Sequence, residues 1–227
     1  MGDCPLCFLP LPFEYGGNHL YQCCNQFACD GCFVANIESK REDAEKHKCP
    51  FCRTFSVGVS REKIADYRAK RVEQNCPVAI RETGREAFFK NRLDEALQYF
   101  KRAAELGDIQ AHFELATWFE GDVGFERKKR IKHLETAAIG GHPQARMYLA
   151  KEELANGQVK RSLDHLVIGT KQGCGESLEM LQALAEKVKV DKDLFTDALR
   201  GYQAAVDARK SPQREEAEVY FPKPKDE

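Results

Sequence analysis

Eight of the ten cysteines lie in the first 52 residues, and their spacing constrains the fold more than any other feature. Cys4 and Cys7, Cys29 and Cys32, and Cys49 and Cys52 are pairs separated by two residues, while Cys23 and Cys24 are adjacent. A two-residue gap lets both thiolates of a pair reach one ion at about 2.3 Å, with the amides of the turn facing the sulfurs. A segment this short buries too little apolar surface to fold unaided and needs a staple. The opening MGDCPLC lacks a basic stretch followed by an apolar run, so a reducing, cytoplasmic or nuclear setting is expected, where disulfides are rare. The cysteines therefore read as metal ligands. Eight thiolates make two closed four-coordinate sites, a structural rather than catalytic arrangement, and four-thiolate sites favour Zn2+.

The strings CPLC, CC-x4-CDGC and CPFCR resemble a RING domain of the all-cysteine kind, over residues 1–58. The resemblance implies cross-bracing: Cys4, Cys7, Cys29 and Cys32 would hold the first zinc, and Cys23, Cys24, Cys49 and Cys52 the second. The sequence departs from the usual pattern in the adjacency of Cys23 and Cys24, which leaves His19 and His47 as alternative donors for the second site. In RING domains that recruit ubiquitin-conjugating enzymes, the positions matching Leu6, Pro50 and Phe51 contact that enzyme. The position matching Arg53 engages ubiquitin. A further apolar contact is expected four residues past Cys32, where this chain has Asn36.

Residues 59–76 read as a polar linking helix: Ser60 suits an N-cap, Glu62 the first turn, and Asn75-Cys76-Pro77 a stop. Cys76 is distant from every other cysteine and reads as a small buried residue.

Residues 77–208 carry a repeat. Gly107, Gly141 and Gly173 are 34 and 32 residues apart, and each is followed four residues on by Ala111, Ala145 or Ser177. The glycines suit helix ends that need a positive φ, and the small residues allow the next helix to approach closely. Leu93, Ala96, Leu97, Phe100 and Ala104 form a helical stripe, as do Ile131, Leu134 and Ala138, and Leu163, Leu166 and Val167. Asn91, residues 121–124 and Asn156-Gly157 mark turns within the units. Leu194, Ala198, Tyr202 and Ala205 fit a closing helix. Single hairpins cannot bury both faces, so they must stack into a solenoid. The A-x2-G-x3-A-x2-L-A pattern resembles Sel1-like repeats, relatives of the tetratricopeptide repeat. That resemblance implies protein-binding surfaces without catalytic machinery. The third unit departs from it, with Gly169 and Thr170 in place of alanines. Residues 209–227, rich in proline and charge, are expected to be disordered, although Val219-Tyr220-Phe221 is an apolar triplet suited to docking.

The expected architecture is therefore mainly α: a small cross-braced two-zinc RING-like domain, then an α-solenoid of helical hairpins. A formal charge of −1 gives no general attraction to nucleic acid, and no run is long and apolar enough for a membrane span. The basic run Arg127–Arg130 reads as a solvated helix face; Trp118 and Phe119 read as core. Cys174, in a turn, has no partner cysteine. No phosphate loop, nucleophile elbow or HExxH is present. Two functions fit. One is a RING-type ubiquitin ligase, with a conjugating enzyme on the zinc domain and a protein substrate on the repeats. The other is a non-enzymatic adaptor in which zinc is purely structural.

Overall fold

The structure, a computed structural model, describes residues 2–12, 17–39, 48–55, 58–118, 125–188 and 190–221. His47, Phe119, the turn at 121–124, most of the charge run at 38–48 and the tail from 222 lie outside the described residues. The chain is mainly helical and divides into two compact units, Met1–Arg92 with Arg209–Glu227, and Leu93–Ala208.

The first unit is organised by cysteine turns and a hairpin. Strands β1 (Asn18–Tyr21) and β2 (Gln26–Cys29) pair antiparallel, with Asn18 opposite Cys29 and Tyr21 opposite Gln26. Asn25 closes the hairpin in the left-handed region at φ 57°, where a short polar side chain is tolerated. Helix α1 (Asp30–Glu38) starts directly after β2, with Cys29 as its N-cap. A core of Leu11, Tyr21, Ala28, Phe33 and Val34 surrounds the cysteines. Helices α2 (Arg61–Glu73) and α3 (Pro77–Phe89) pack together. Ser60 caps α2, its hydroxyl accepting from the Lys63 amide at 3.3 Å.

The second unit stacks α4 (Leu93–Glu105), α5 (Ile109–Trp118), α6 (Phe125–Ile139), α7 (Pro143–Ala155), α8 (Val159–Lys171), α9 (Gly175–Lys187) and α10 (Lys192–Asp207). Each of α4 to α8 packs on its successor, α7 also meets α9, and α8 also meets α10. This near-neighbour packing is that of a solenoid. Phe113, Leu134, Ala138, Ala145 and Leu149 form one core; Ala150, Leu166, Leu181, Leu184 and Ala198 form the next. Ala96, Phe100 and Ala104 are buried from the α4 stripe, while Leu93 is exposed. Trp118 packs edge-on against Phe100.

Gly107, Gly141 and Gly173 sit at φ 86°, 83° and 81°. Asn75, Asn91 and Gly157 are left-handed too, so each falls just past a helix end. The residue after Asn75, Gly141, Gly157 and Gly173 is the N-cap of the following helix. Asp108 accepts from the Ala111 amide at 2.7 Å, and His142 Nδ1 accepts from the Ala145 amide at 3.3 Å. Cys76 and Cys174 occupy the same place before α3 and α9, which accounts for both cysteines outside the head. Gly169 also has a packing reason: a Cβ there would lie 3.0 Å from Ser177 Cβ, so the usual alanine does not fit.

Two sequence readings are corrected. Residues 212–217, expected to be disordered, form helix α11 (Pro212–Ala217), capped by Ser211 and packed on α1. Ala217 is 1% exposed, and Phe221 meets the ring of Phe33 at 6.0 Å. The basic run is not simply solvated: Arg127 and Arg130 both pair with Glu152 of α7, at 2.8 and 2.6 Å.

Candidate metal centres

The segments CPLCF and CPFCR fold into matching turns. In the first, the Phe8 amide donates to Cys4 O and the Cys4 amide to Leu9 O, both at 2.8 Å. In the second, the Arg53 amide donates to Cys49 O at 2.9 Å and the Cys49 amide to Thr54 O at 2.8 Å. Phe8 and Arg53 are left-handed, at φ 59° and 61°, which reverses the chain after each second cysteine. These turns present two sulfurs each.

Cys4, Cys7, Cys29 and Cys32 form one group, and Cys23, Cys24, Cys49 and Cys52 another; within each, all sulfurs lie within 4.8 Å of one another. The groups alternate along the chain, so the two sites interlock. His19 belongs to neither: its ring stacks on Phe33 at 3.5 Å, and burial pushes its pKa down to about 4.

The geometry suits a tetrahedral cation. Four sulfurs at about 2.3 Å from a common ion lie about 3.8 Å apart. Cys7 and Cys29 are 3.7 Å apart, Cys24 and Cys49 3.6 Å, and Cys23 and Cys52 3.4 Å. No disulfide forms among these cysteines. Burial opposes ionisation of Cys4, but the amides of Cys29, Cys7 and Leu6 outweigh it and lower the thiol to about 7. Burial likewise opposes Cys52, yet Thr54 and Cys23 bring it to about 7. Burial and neighbouring thiols push Cys23 and Cys32 far up, and Cys24 up to about 12. Cys4 and Cys52 are thus the easily ionised thiols of their groups, while Cys23, Cys24 and Cys32 need a cation beside them before they ionise. Both groups could hold a metal ion, in a donor set consistent with zinc.

Two arginines outside the cysteine segment reach these groups, and sequence reasoning missed both. Arg214 of α11 donates through Nη2 to Cys7 Sγ at 3.6 Å and Leu9 O at 3.2 Å, and through Nη1 to Pro10 O at 2.8 Å. Burial works against its charge, but the sulfurs of Cys29 and Cys7 hold its pKa above the usual value. Arg71 of α2 donates to Cys23 O through Nε at 3.3 Å and Nη2 at 3.1 Å. Asn25 Nδ2 donates to Cys76 Sγ at 3.3 Å, tying the hairpin tip to the N-cap of α3. The Ser211-Pro212 start signal of α11 was legible; its landing place was not.

Beside the first group lies an open groove of about 410 Å³, lined by Leu6, Cys7, Cys32, Ala35, Asn36, Ser39, Pro50, Arg53 and Gln213. The structure thus brings Leu6, Pro50 and Arg53 together. Phe51 is not among the lining residues: half-buried, its ring packs edge-on against Tyr21 of the core at 5.5 Å. Asn36 lines the groove while its amide donates to Lys48 O at 3.3 Å.

No family profile and no curated protein matches the chain. Among solved structures, a Sel1 repeat protein from Oxalobacter formigenes is similar at TM-score 0.52 and 17% identity, over 73% of this chain and 78% of that one. The protein c5321, a protective antigen present in uropathogenic Escherichia coli strains and displaying an SLR fold, is similar at TM-score 0.50 and 15% identity. That match covers 83% of this chain and 44% of the other. The helical-hairpin repeat therefore has the Sel1-like fold. No described helix is long and apolar enough to cross a membrane.

Proposed function

We propose that the protein is a RING-type ubiquitin ligase in which two Zn2+ ions hold the cysteine-rich unit together and the helical repeats bind a protein substrate or scaffold. Cys4, Cys7, Cys29 and Cys32 would hold one ion, and Cys23, Cys24, Cys49 and Cys52 the other. A bound ion supplies four metal–sulfur bonds per site and no open position for chemistry. The observation that carries the ligase reading is the groove in which Leu6, Pro50 and Arg53 converge. Leu6 and Pro50 offer a small apolar surface to a ubiquitin-conjugating enzyme. Arg53 offers a cation to the ubiquitin it carries. No side chain of this chain would react; the catalytic effect would be orientation of the enzyme-bound thioester.

The test is autoubiquitination with a panel of conjugating enzymes. Leu6→Ala, or Arg53→Asn (chosen to suit the left-handed backbone), should lower chain formation at least about tenfold with both ions retained, a loss of about 1.4 kcal/mol in transition-state stabilisation. No activity with any panel member would overturn the ligase reading. An adaptor without ligase activity is the second reading. It is favoured by Asn36, a polar residue where an apolar contact is expected, and by the packing of the Phe51 ring against Tyr21.

A further inference from the structure

Arg214 meets a sulfur of the first group and Arg71 the backbone of the second, each from a helix beyond the cysteine segment. We infer that Arg214 and Arg71 are positioning residues, one for each four-cysteine centre, and that the metal-binding unit is therefore built from both ends of the chain. The inference rests on the metal reading above. It does not depend on ligase activity.

Four thiolates around a divalent cation leave two negative charges at each centre, partly removed from water, and such charge favours a nearby cation with hydrogen-bond donors. Arg214 meets that need at the first centre. Its guanidinium spans Cys7 Sγ and the carbonyls of Leu9 and Pro10, so it grips the turn that presents Cys4 and Cys7. A fourth bond, to Arg209 O at 2.8 Å, fixes the guanidinium to the start of its own segment. At the second centre Arg71 forks onto the carbonyl of Cys23, beside the adjacent pair of donors. That pair lacks the spacing of the other three turns, so its backbone has more to gain from an external hold. Outer groups of this kind orient ligands, and their loss costs about 10- to 100-fold in metal affinity.

The placement of α11 does not depend on Arg214 alone. A Cβ on Gly31 would lie 2.8 Å from the carbonyl carbon and oxygen of Gln213, so α1 and α11 approach as closely as glycine permits. Ala217 is buried in the cysteine-rich core, and the Tyr220 hydroxyl bonds to the Glu38 carboxylate. At the other centre, Tyr67 OH donates to Phe55 O at 3.4 Å and Arg68 reaches Gln22 Oε1 at 3.4 Å, which seat α2 independently of Arg71. The helices are docked by several contacts. The two guanidiniums are what they deliver to the centres.

The test uses the full chain loaded with 113Cd, with cadmium NMR as the spectroscopic readout and transfer to a chromophoric chelator as the rate. The wild-type chain should show two four-sulfur resonances. Arg214→Ala should move one resonance and release that ion about 10- to 100-fold faster, leaving the other ion unchanged. Arg71→Ala should do the reverse. Arg214→Lys, which keeps the charge, should retain the first ion better than Arg214→Ala. Gly31→Ala, which pushes α11 away, should reproduce the Arg214→Ala pattern. Wild-type release rates in both alanine variants, or equal loss of both ions in either one, would overturn the inference while leaving the metal reading intact. A wild-type chain without cadmium–sulfur resonances would overturn both.

Discussion

His142 shows how one repeat position can carry different chemistry. It follows the left-handed Gly141 and caps α7, where Asp108 and Cys174 stand in neighbouring units. Its Nδ1 accepts from the Ala145 amide, so the proton sits on Nε2, which donates to Gln110 Oε1 at 3.0 Å. The ring also stacks on Phe113 at 4.2 Å. A proton on Nδ1 would remove the cap, and burial lowers the pKa from 6.5 to about 4. The unfolded chain therefore takes up the proton first. The stability tied to His142 is complete above about pH 6.5 and falls by about 3 kcal/mol as pH drops toward 4. His112 and His133 act in the same direction: their Nδ1 atoms are 2.9 Å apart, and burial lowers both. Urea unfolding at pH 7 and pH 4.5 should show the loss, and His142→Asn, which keeps a cap acceptor, should flatten it. An unchanged acid slope in that variant would remove His142 from the account.

At the scale of elements, the repeat helices were legible because their signals are local. A left-handed glycine, a cap and a small residue recur at fixed offsets, and the buried stripes follow from helical period. Leu166 is 0% exposed, at the centre of the second core. Leu166→Ala should cost about 2–5 kcal/mol in chemical denaturation. Ile139→Ala, at a side chain 83% exposed, should change stability by less than about 0.5 kcal/mol. What escaped was docking. Helix α11 has Ser211 and Pro212 as a start signal, yet its composition is that of a solvated tail, and its contacts with α1 and with the turn of Cys4 and Cys7 hold it. Arg71 and Arg214 look like any surface arginine in the chain. Their distances to Cys23 O and Cys7 Sγ belong to tertiary structure. Phe51, which the RING resemblance implies as a partner contact, has its ring on Tyr21, a neighbour that only tertiary structure supplies.

At the scale of the molecule, two different solutions to stability are joined in one chain. The unit Leu93–Ala208 buries alanine and leucine between stacked helices and needs no staple. The unit built from Met1–Arg92 and Arg209–Glu227 has a thin apolar core arranged around eight cysteines. The interlocked grouping of those cysteines was implied by resemblance; spacing alone showed only that the three separated pairs could chelate. The adjacent pair works sterically because the hairpin tip turns through Asn25, so both sulfurs reach the turn of Cys49 and Cys52. The central claim is that the eight sulfurs form two closed centres. Native mass spectrometry of the full chain, paired with elemental analysis, tests it most directly. The account predicts two zinc ions per chain, falling to one when either Cys4→Ser or Cys49→Ser disables one centre; a wild-type chain holding any other number, or two ions surviving in both variants, would contradict it.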